Sequence, residues 1–199
     1  MAGAATGKRV ERARGPRHAV ALRRATASDL ATLVAHRRAM FFALGGHGER
    51  ELAASDAPYR RWIRGRLATR RAIGLVATRP GLGIVGSAVM WFREDQPRPG
   101  VRRLRVPYLM SVYVEPRSRG GGVATALTER LVAEAARLGY PRVVLHASRF
   151  GRSVYGRLGF ERTWEMRYGP TYRRGPDSAT PRDEAAGRRG RARGPRSRA

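Results

Sequence analysis

A glycine triplet between an apolar segment and an amphipathic segment is the feature that most restricts how this chain can fold. Residues 104–115 are apolar on both faces, which is typical of a strand inside a sheet. The triplet at 120–122 follows, and residues 123–138 then carry apolar side chains at helical spacing. Another apolar, β-prone segment lies at 142–147. Strand, helix and strand in this order predict a right-handed crossover that makes the two strands parallel.

Hydrophobic periodicity and turn residues predict the remaining elements. Cap residues at 26–29 indicate the start of a first helix, and the segment Arg79-Pro80-Gly81 indicates a hairpin turn. The other predicted elements are strands at 18–22, 72–77, 84–92 and 160–168, and helices at 30–44, 58–70 and 150–158. This order predicts a single α/β domain with helices that flank a mixed sheet.

Net charge is the most conspicuous property of the composition. The 199 residues include 41 Lys and Arg against 15 Asp and Glu, a formal net charge of +26 at pH 7. Both ends of the chain are basic, rich in Gly, Pro, Ala and Ser, and free of apolar periodicity. We therefore expect a disordered basic arm at 1–17, one domain at 18–168 and a disordered tail at 169–199. The arm and tail could contact nucleic acid nonspecifically.

Composition also excludes several kinds of site. The chain has no Cys, which excludes a disulfide scaffold, a Cys-ligated metal and a thiol nucleophile. No run of about 18 apolar residues is present, so we expect no membrane span. These observations predict a cytoplasmic protein without a bound metal.

Two glycine patterns compete as nucleotide-binding motifs. Residues 81–86 match the G-x-G-x-x-G dinucleotide fingerprint, but the strand-like segment 87–92 follows where a helix is required, so a hairpin is the better interpretation. The triplet at 120–122 does open a helix, whose free N–H groups and positive dipole end suit a phosphate. Arg119 adds a positive charge there. The turn by itself is equally compatible with an ordinary Gly-rich connection that binds no phosphate.

The sequence around this turn resembles a motif of the GCN5-related N-acetyltransferase (GNAT) superfamily. That acetyl-CoA motif is R/Q-x-x-G-x-G/A, and Arg119, Gly122 and Ala124 occupy its defining positions. A second register, which begins at Arg117, also fits the bare pattern, but the first register places Val123 on the apolar face of the helix.

A second motif strengthens the resemblance. Ser148 precedes Tyr155 by seven residues, and Gly159-Phe160 follows, as in the family, where the first of these residues is usually Asn. The resemblance covers roughly 18–168. It implies a mixed, mostly antiparallel sheet whose fourth and fifth strands splay apart.

The resemblance also implies how acetyl-CoA would bind. The pantetheine arm would lie between the two splayed strands, and a backbone N–H near Val112 or Val114 would polarise the thioester carbonyl. The pyrophosphate would bind the N–H groups of the turn, with Thr125 as a hydroxyl donor. The implied cofactor-binding residues are Val112, Val114, Arg119, Gly120, Gly121, Gly122, Val123, Ala124, Thr125 and Ser148.

Catalytic residues are implied less directly. Tyr155 would protonate the departing thiolate as a general acid. Glu115 is the acid nearest in sequence to the expected thioester position and is our candidate base, although strand alternation could point it to solvent. His146 at a strand end is better explained by structure, and His47 lies in a loop where the family builds its acceptor site.

These expectations favour an N-acetyltransferase that uses acetyl-CoA and acts by direct attack of a primary amine in a ternary complex. The chain has no Cys that could carry an acetyl intermediate, which is consistent with direct transfer. The acceptor could be a small-molecule amine or a protein amine, and family members are often homodimers. Two alternatives remain at this point, namely a basic nucleic-acid-binding protein and a CoA-binding module without catalysis.

Overall fold

The computed structural model describes residues 20–97, residue 99 and residues 104–164. Its elements, in chain order, are β1 (Ala21–Arg24), α1 (Leu30–Leu44), α2 (Glu49–Ala68), β2 (Ala72–Arg79), β3 (Gly83–Glu94), β4 (Arg105–Val114), α3 (Val123–Arg137), β5 (Val144–Leu145) and α4 (Arg152–Arg157). Short 3₁₀ turns at Ala27–Asp29 and Pro116–Ser118 lead into α1 and towards α3.

The five strands form one sheet in the order β1-β2-β3-β4-β5. The first four strands pair antiparallel, and β4 and β5 pair parallel across the α3 crossover. The G-x-G-x-x-G segment at 81–86 forms the β2–β3 turn and the start of β3, as the sequence indicates. The predicted α/β class and mixed, mostly antiparallel sheet are confirmed.

Helices cover both faces of the sheet. On one face, α1 and α2 pack through a buried cluster that contains Leu33, Ile63 and Val76. On the other face, α3 packs through Leu127 and Leu131 onto a second cluster. The sheet is therefore the middle layer, and residues on neighbouring positions of a strand reach different helices.

A β-bulge in β4 changes which face its side chains reach. The β3–β4 register shifts between Ser87 and Val89, and Ser111 opposite them has a φ of 51°. Left-handed backbone at a residue with a side chain costs about 1 kcal/mol. Before the bulge, the odd-numbered Leu109 packs in the cluster beneath α3. After the bulge, the even-numbered Val112 packs against this same cluster, so the side chains that face α3 change from odd to even positions.

Several predicted boundaries are wrong. Helix α2 begins at Glu49 rather than at residue 58, because Leu52 continues the buried stripe of Tyr59 and Ile63, and Pro58 lies inside the helix. Proline is most common in a first helical turn, whereas residues 49–57 of α2 precede Pro58. The first strand continues to Arg24 rather than ending at residue 22, since Ala21–Arg24 pair with β2; residues 18 and 19 lie outside the described part.

The end of the chain also differs from expectation. Strand β5 has two residues rather than the six at 142–147, because its pairing with β4 stops at Leu145. Residues 160–164 form no strand, and the rest of the predicted strand at 160–168 lies outside the described residues. The predicted arm at 1–17 and tail at 169–199 also lie outside them, so these domain limits remain predictions.

Candidate active site

A cavity of about 720 Å³ opens where β4 and β5 separate. The two strands pair only at Tyr108 with Val144 and at Leu109 with Leu145, so β4 has no β5 partner beyond these positions in the described structure. We call the open space beside residues 110–114 the β4–β5 gap. The cavity wall also includes the end of α1, the start of α3 and α4. Its residues are Met40, Ala43, Leu44, Val112, Tyr113, Val114, Ser118, Arg119, Gly120, Gly122, Val123, Ala124, Thr125, Ala126, Glu129, Ser148, Phe150, Gly151, Val154, Tyr155 and Arg157.

Backbone donors of β4 point into this gap. The N–H of Glu115 donates to the carbonyl oxygen of Val85 on β3, at 2.9 Å. Hydrogen-bonding direction alternates along a strand, so the N–H groups of Val112 and Val114 point away from β3. These two donors are therefore available to a carbonyl group that enters the gap.

The turn before α3, residues 119–122, also faces the cavity, and we call it the glycine turn. Gly120 and Gly122 have φ values of 73° and 80°, a region that favours glycine. A Cβ at either position would meet no described atom within 4 Å. Gly122 precedes α3 without a side-chain cap, which leaves the first N–H groups of the helix free for an anion.

Ser118 supplies an independent sign that the turn suits a ligand. Its side chain is 1% exposed, and its Oγ has no hydrogen-bond partner among the described residues. A buried hydroxyl without a partner is costly, and Ser118 belongs to the cavity wall. Together with the free helix N–H groups and Arg119, it fits the pyrophosphate of a CoA.

Gly121 has a different environment from its neighbours. A Cβ built on it would lie 2.5 Å from Nη2 of Arg79, which reaches the turn from the end of β2. Gly121 is absent from the described cavity wall, whereas the other predicted cofactor residues belong to it. A side chain at 121 would displace only the flexible end of Arg79, so this contact alone does not require glycine there.

Tyr155 lies on α4 and forms another part of the wall. Its ring packs edge-on against Phe160, with the ring centroids 5.8 Å apart. A Cβ on Gly151 would lie 2.6 Å from the same ring, so glycine at 151 makes room for it. Burial raises the pKa of the Tyr155 phenol to about 12. The hydroxyl therefore stays protonated at neutral pH.

Glu115 has a partner that the sequence did not reveal. Its Oε1 lies 3.3 Å from Nε2 of His36 on α1, whose Nδ1 lies 2.9 Å from Oγ of Ser87 on β3. Burial lowers the pKa of His36, with Glu115 acting in the opposite direction. The available signal was the spacing of His36 from Leu33 and Met40, which puts a histidine on the apolar stripe of α1.

Neither His36 nor Glu115 belongs to the described cavity wall, and His47 and His146 are also absent from it. His47 pairs with Glu51 at 2.9 Å and contacts the Phe41 ring edge-on. His146 lies 2.5 Å from the hydroxyl of Tyr108, where β4 and β5 still pair. Within the described residues, no group of acidic or His side chains could hold a metal ion, and no helix there is long and apolar enough to cross a membrane.

Comparison with known proteins agrees with this geometry. The acetyltransferase (GNAT) domain family matches residues 21–163. The crystal structure of a GCN5-related N-acetyltransferase from Ralstonia eutropha JMP134 is similar at 32% identity, with a TM-score of 0.69, over 76% of this chain and 98% of that one. No curated protein matches the chain.

A predicted acetyltransferase from Clostridium acetobutylicum, crystallised with acetyl-CoA, is 29% identical with a TM-score of 0.68 over 75% of this chain and 95% of that one. An acetyltransferase from Trypanosoma brucei is 25% identical with a TM-score of 0.55 over 76% and 99%. The family match covers well over half of this chain, and the Ralstonia eutropha protein is similar over almost its whole length. The chain is thus an acetyltransferase of the GCN5-related N-acetyltransferase family.

Proposed function

We propose that this protein transfers the acetyl group of acetyl-CoA to a primary amine by direct attack in a ternary complex. The observation that carries the proposal is one cavity that contains β4 donors, the glycine turn and the Tyr155 ring. Acetyl-CoA supplies an activated acyl group as a thioester.

Binding is assigned to the glycine turn and to β4. The N–H groups at the start of α3, with Ser118 Oγ and Arg119, would hold the pyrophosphate. The side chain of Arg119 also donates from Nε to the Val114 carbonyl oxygen at 3.1 Å, which ties the turn to the end of β4. This tie would keep the phosphate site and the gap at a constant separation.

Transition-state stabilisation is assigned to the β4 backbone. The N–H groups of Val112 and Val114 would donate to the thioester oxygen as negative charge develops on it. Because the Ser111 bulge and the β3 pairing hold this backbone, the donors need no reorganisation during the reaction. Val112 is our first choice, since it directly follows the bulge.

Proton transfer is assigned to Tyr155 and Glu115. Tyr155 keeps its proton at neutral pH and would donate it to the departing sulfur. Glu115 would accept a proton from the amine, which must be neutral to attack. The acceptor, a small-molecule or protein amine, approaches from the α1 side of the gap in this proposal.

A thiol-release assay with acetyl-CoA and a panel of amines tests the function. We expect acetyl-CoA to raise the Tm and at least one amine to release CoA in proportion to the acetylated product. A rise in Tm without turnover of any amine would favour a CoA-binding module. The absence of a rise in Tm at millimolar acetyl-CoA would contradict the proposal.

A further inference from the structure

A polar chain of three residues, Ser87, His36 and Glu115, links β3, α1 and the residue after β4. Ser87 and His36 are 1% and 5% exposed, and the Glu115 side chain at its end is 34% exposed. Ser87 Oγ lies 2.9 Å from His36 Nδ1, and His36 Nε2 lies 3.3 Å from Glu115 Oε1. The chain therefore runs from the interior of the sheet to a partly accessible carboxylate.

The hydrogen-bonding capacities of Ser87 and Glu115 determine which ring nitrogen of His36 carries the proton. A carboxylate only accepts hydrogen bonds, so Nε2 must carry the proton that points to Glu115. The unprotonated Nδ1 then accepts from the Ser87 hydroxyl, which can donate. Burial lowers the pKa of His36, so the ring is neutral at pH 7 and has this single tautomer.

The chain ends on the α1 side of the sheet, beside Tyr113, while His36 and Glu115 themselves are absent from the described cavity wall. Tyr113 belongs to the cavity wall, and its ring centroid lies 4.9 Å from that of His36. Glu115 directly follows β4, and its contact with His36 puts its side chain on the same face of the sheet as Tyr113. Met40, one helical turn after His36, also lines the cavity. Val112 and Val114 face the opposite side, towards α3.

We propose that His36, held by Ser87, is a positioning residue that orients the Glu115 carboxylate to accept a proton from the acceptor amine. This inference rests on the proposed function. An ammonium ion passes one proton to Glu115, which releases it to water. The neutral nitrogen forms the C–N bond while the C–S bond breaks. Its second proton leaves to solvent and balances the one that Tyr155 gives to sulfur.

Three variants separate this role from simple packing. His36→Leu fills similar space without a donor, His36→Gln keeps an N–H near the position of Nε2, and Ser87→Ala removes the partner of Nδ1. We expect His36→Leu to lower kcat about 10-fold or more with an unchanged KM for acetyl-CoA, because only the base is misplaced. His36→Gln should recover most of the lost kcat, and Ser87→Ala should fall between the two.

The outcomes are distinct. If the wild type turns over no amine, the proposed function fails, and this inference fails with it. If the wild type is active but His36→Leu keeps its kcat, only the inference is overturned. Equal losses in His36→Leu and His36→Gln would also overturn it, because ring packing would then be the cause. All three variants should keep the rise in Tm with acetyl-CoA.

A measurement on the resting protein tests the same idea without turnover. In ¹⁵N NMR spectra of the wild type at pH 7, the His36 ring should carry its proton on Nε2, with Nδ1 unprotonated. A proton on Nδ1, or a charged ring, would contradict the proposed chain. Assignment by comparison with His36→Gln identifies the signals.

Discussion

Burial of the Tyr155 ring against Gly151 and Phe160 has a chemical consequence at a single hydroxyl. It raises the pKa of the phenol to about 12, so the proton is retained throughout the neutral range. The ring position depends on the missing side chain at 151, since a Cβ there would lie 2.6 Å from it. One glycine thus determines where a proposed acid can sit.

Replacement of this tyrosine tests the proposed acid. Tyr155→Phe keeps the ring and its packing, so we expect kcat to fall by about 100-fold and the rise in Tm with acetyl-CoA to persist. Steady-state kinetics and thermal unfolding check both parts. Tyr140→Phe is the control, because Tyr140 stacks on Phe92 away from the described cavity wall. An unchanged kcat in Tyr155→Phe would exclude the acid role.

The glycine turn allows a matched comparison of two glycines. Gly122 and Gly81 have φ values of 80° and 72°, and neither Cβ would meet a described atom within 4 Å. Alanine at either site should cost about 1 kcal/mol of folding free energy. We expect Gly122→Ala alone to weaken acetyl-CoA binding, because only Gly122 precedes α3 in the cavity wall. Calorimetric titration measures this, and equal Kd values for the two variants would refute it.

At the scale of elements, the start of α1 is held by a carboxylate. Asp29 is 4% exposed, accepts from the Arg23 guanidinium at 2.6 and 2.8 Å, and accepts from the Thr26 N–H at 2.8 Å. The Arg23 hydrogen bonds and those of Thr26 hold the pKa of Asp29 well below its usual range. This cluster joins β1 to the helix that carries His36.

The Asp29 cluster predicts a pH-dependent stability. Because the folded pKa is lowered, its contribution is complete above the unfolded pKa of about 3.9 and is lost as the pH falls. Asp29→Asn should lower the free energy of unfolding by about 1–3 kcal/mol at pH 7. Urea unfolding at pH 7 and pH 3 checks this, and the difference between the proteins should shrink at pH 3. A constant difference would contradict the assignment.

Strand β4 determines the site through two irregularities. Its bulge at Ser111 turns Val112 and Val114 towards α3, and its early separation from β5 opens the gap. A regular strand would have kept pairing with β5, and the N–H groups of residues 112 and 114 would then bond to that neighbour. The proposed oxyanion donors exist because the sheet is interrupted.

For the whole molecule, the net charge of +26 predicts attraction of an anionic cosubstrate. Arg119 and Arg157 lie in the cavity wall, with Glu129 as the opposing acid. Salt shortens the screening length from about 10 Å at 0.1 M to about 3 Å at 1 M. The KM for acetyl-CoA should therefore rise severalfold over this range, with kcat at saturation little changed. The same rise with NaCl and KCl would exclude a specific ion effect, whereas a constant KM would contradict electrostatic attraction.

The features that were predicted correctly are those that neighbouring residues determine, such as turns and helix starts. Residues 81–86 lacked a following helix and formed a hairpin, and the Thr26–Asp29 segment did precede α1. Periodicity placed the start of the second helix at 58 instead of at Glu49, because Leu52 extends a buried stripe that only packing against α1 and the sheet reveals.

The sequence by itself determined the order of elements from β1 to α4, the crossover and the glycine turn, because hydrophobic period and backbone preference act over a few neighbouring residues. Tertiary structure alone decided the short β5, the Ser111 bulge and the contact of His36 with Ser87 and Glu115. His36 and Glu115 are 79 positions apart in the sequence and come from different layers of the fold. Contacts of this kind depend on how the helices pack against the sheet, which the hydrophobic periodicity of a single segment does not predict.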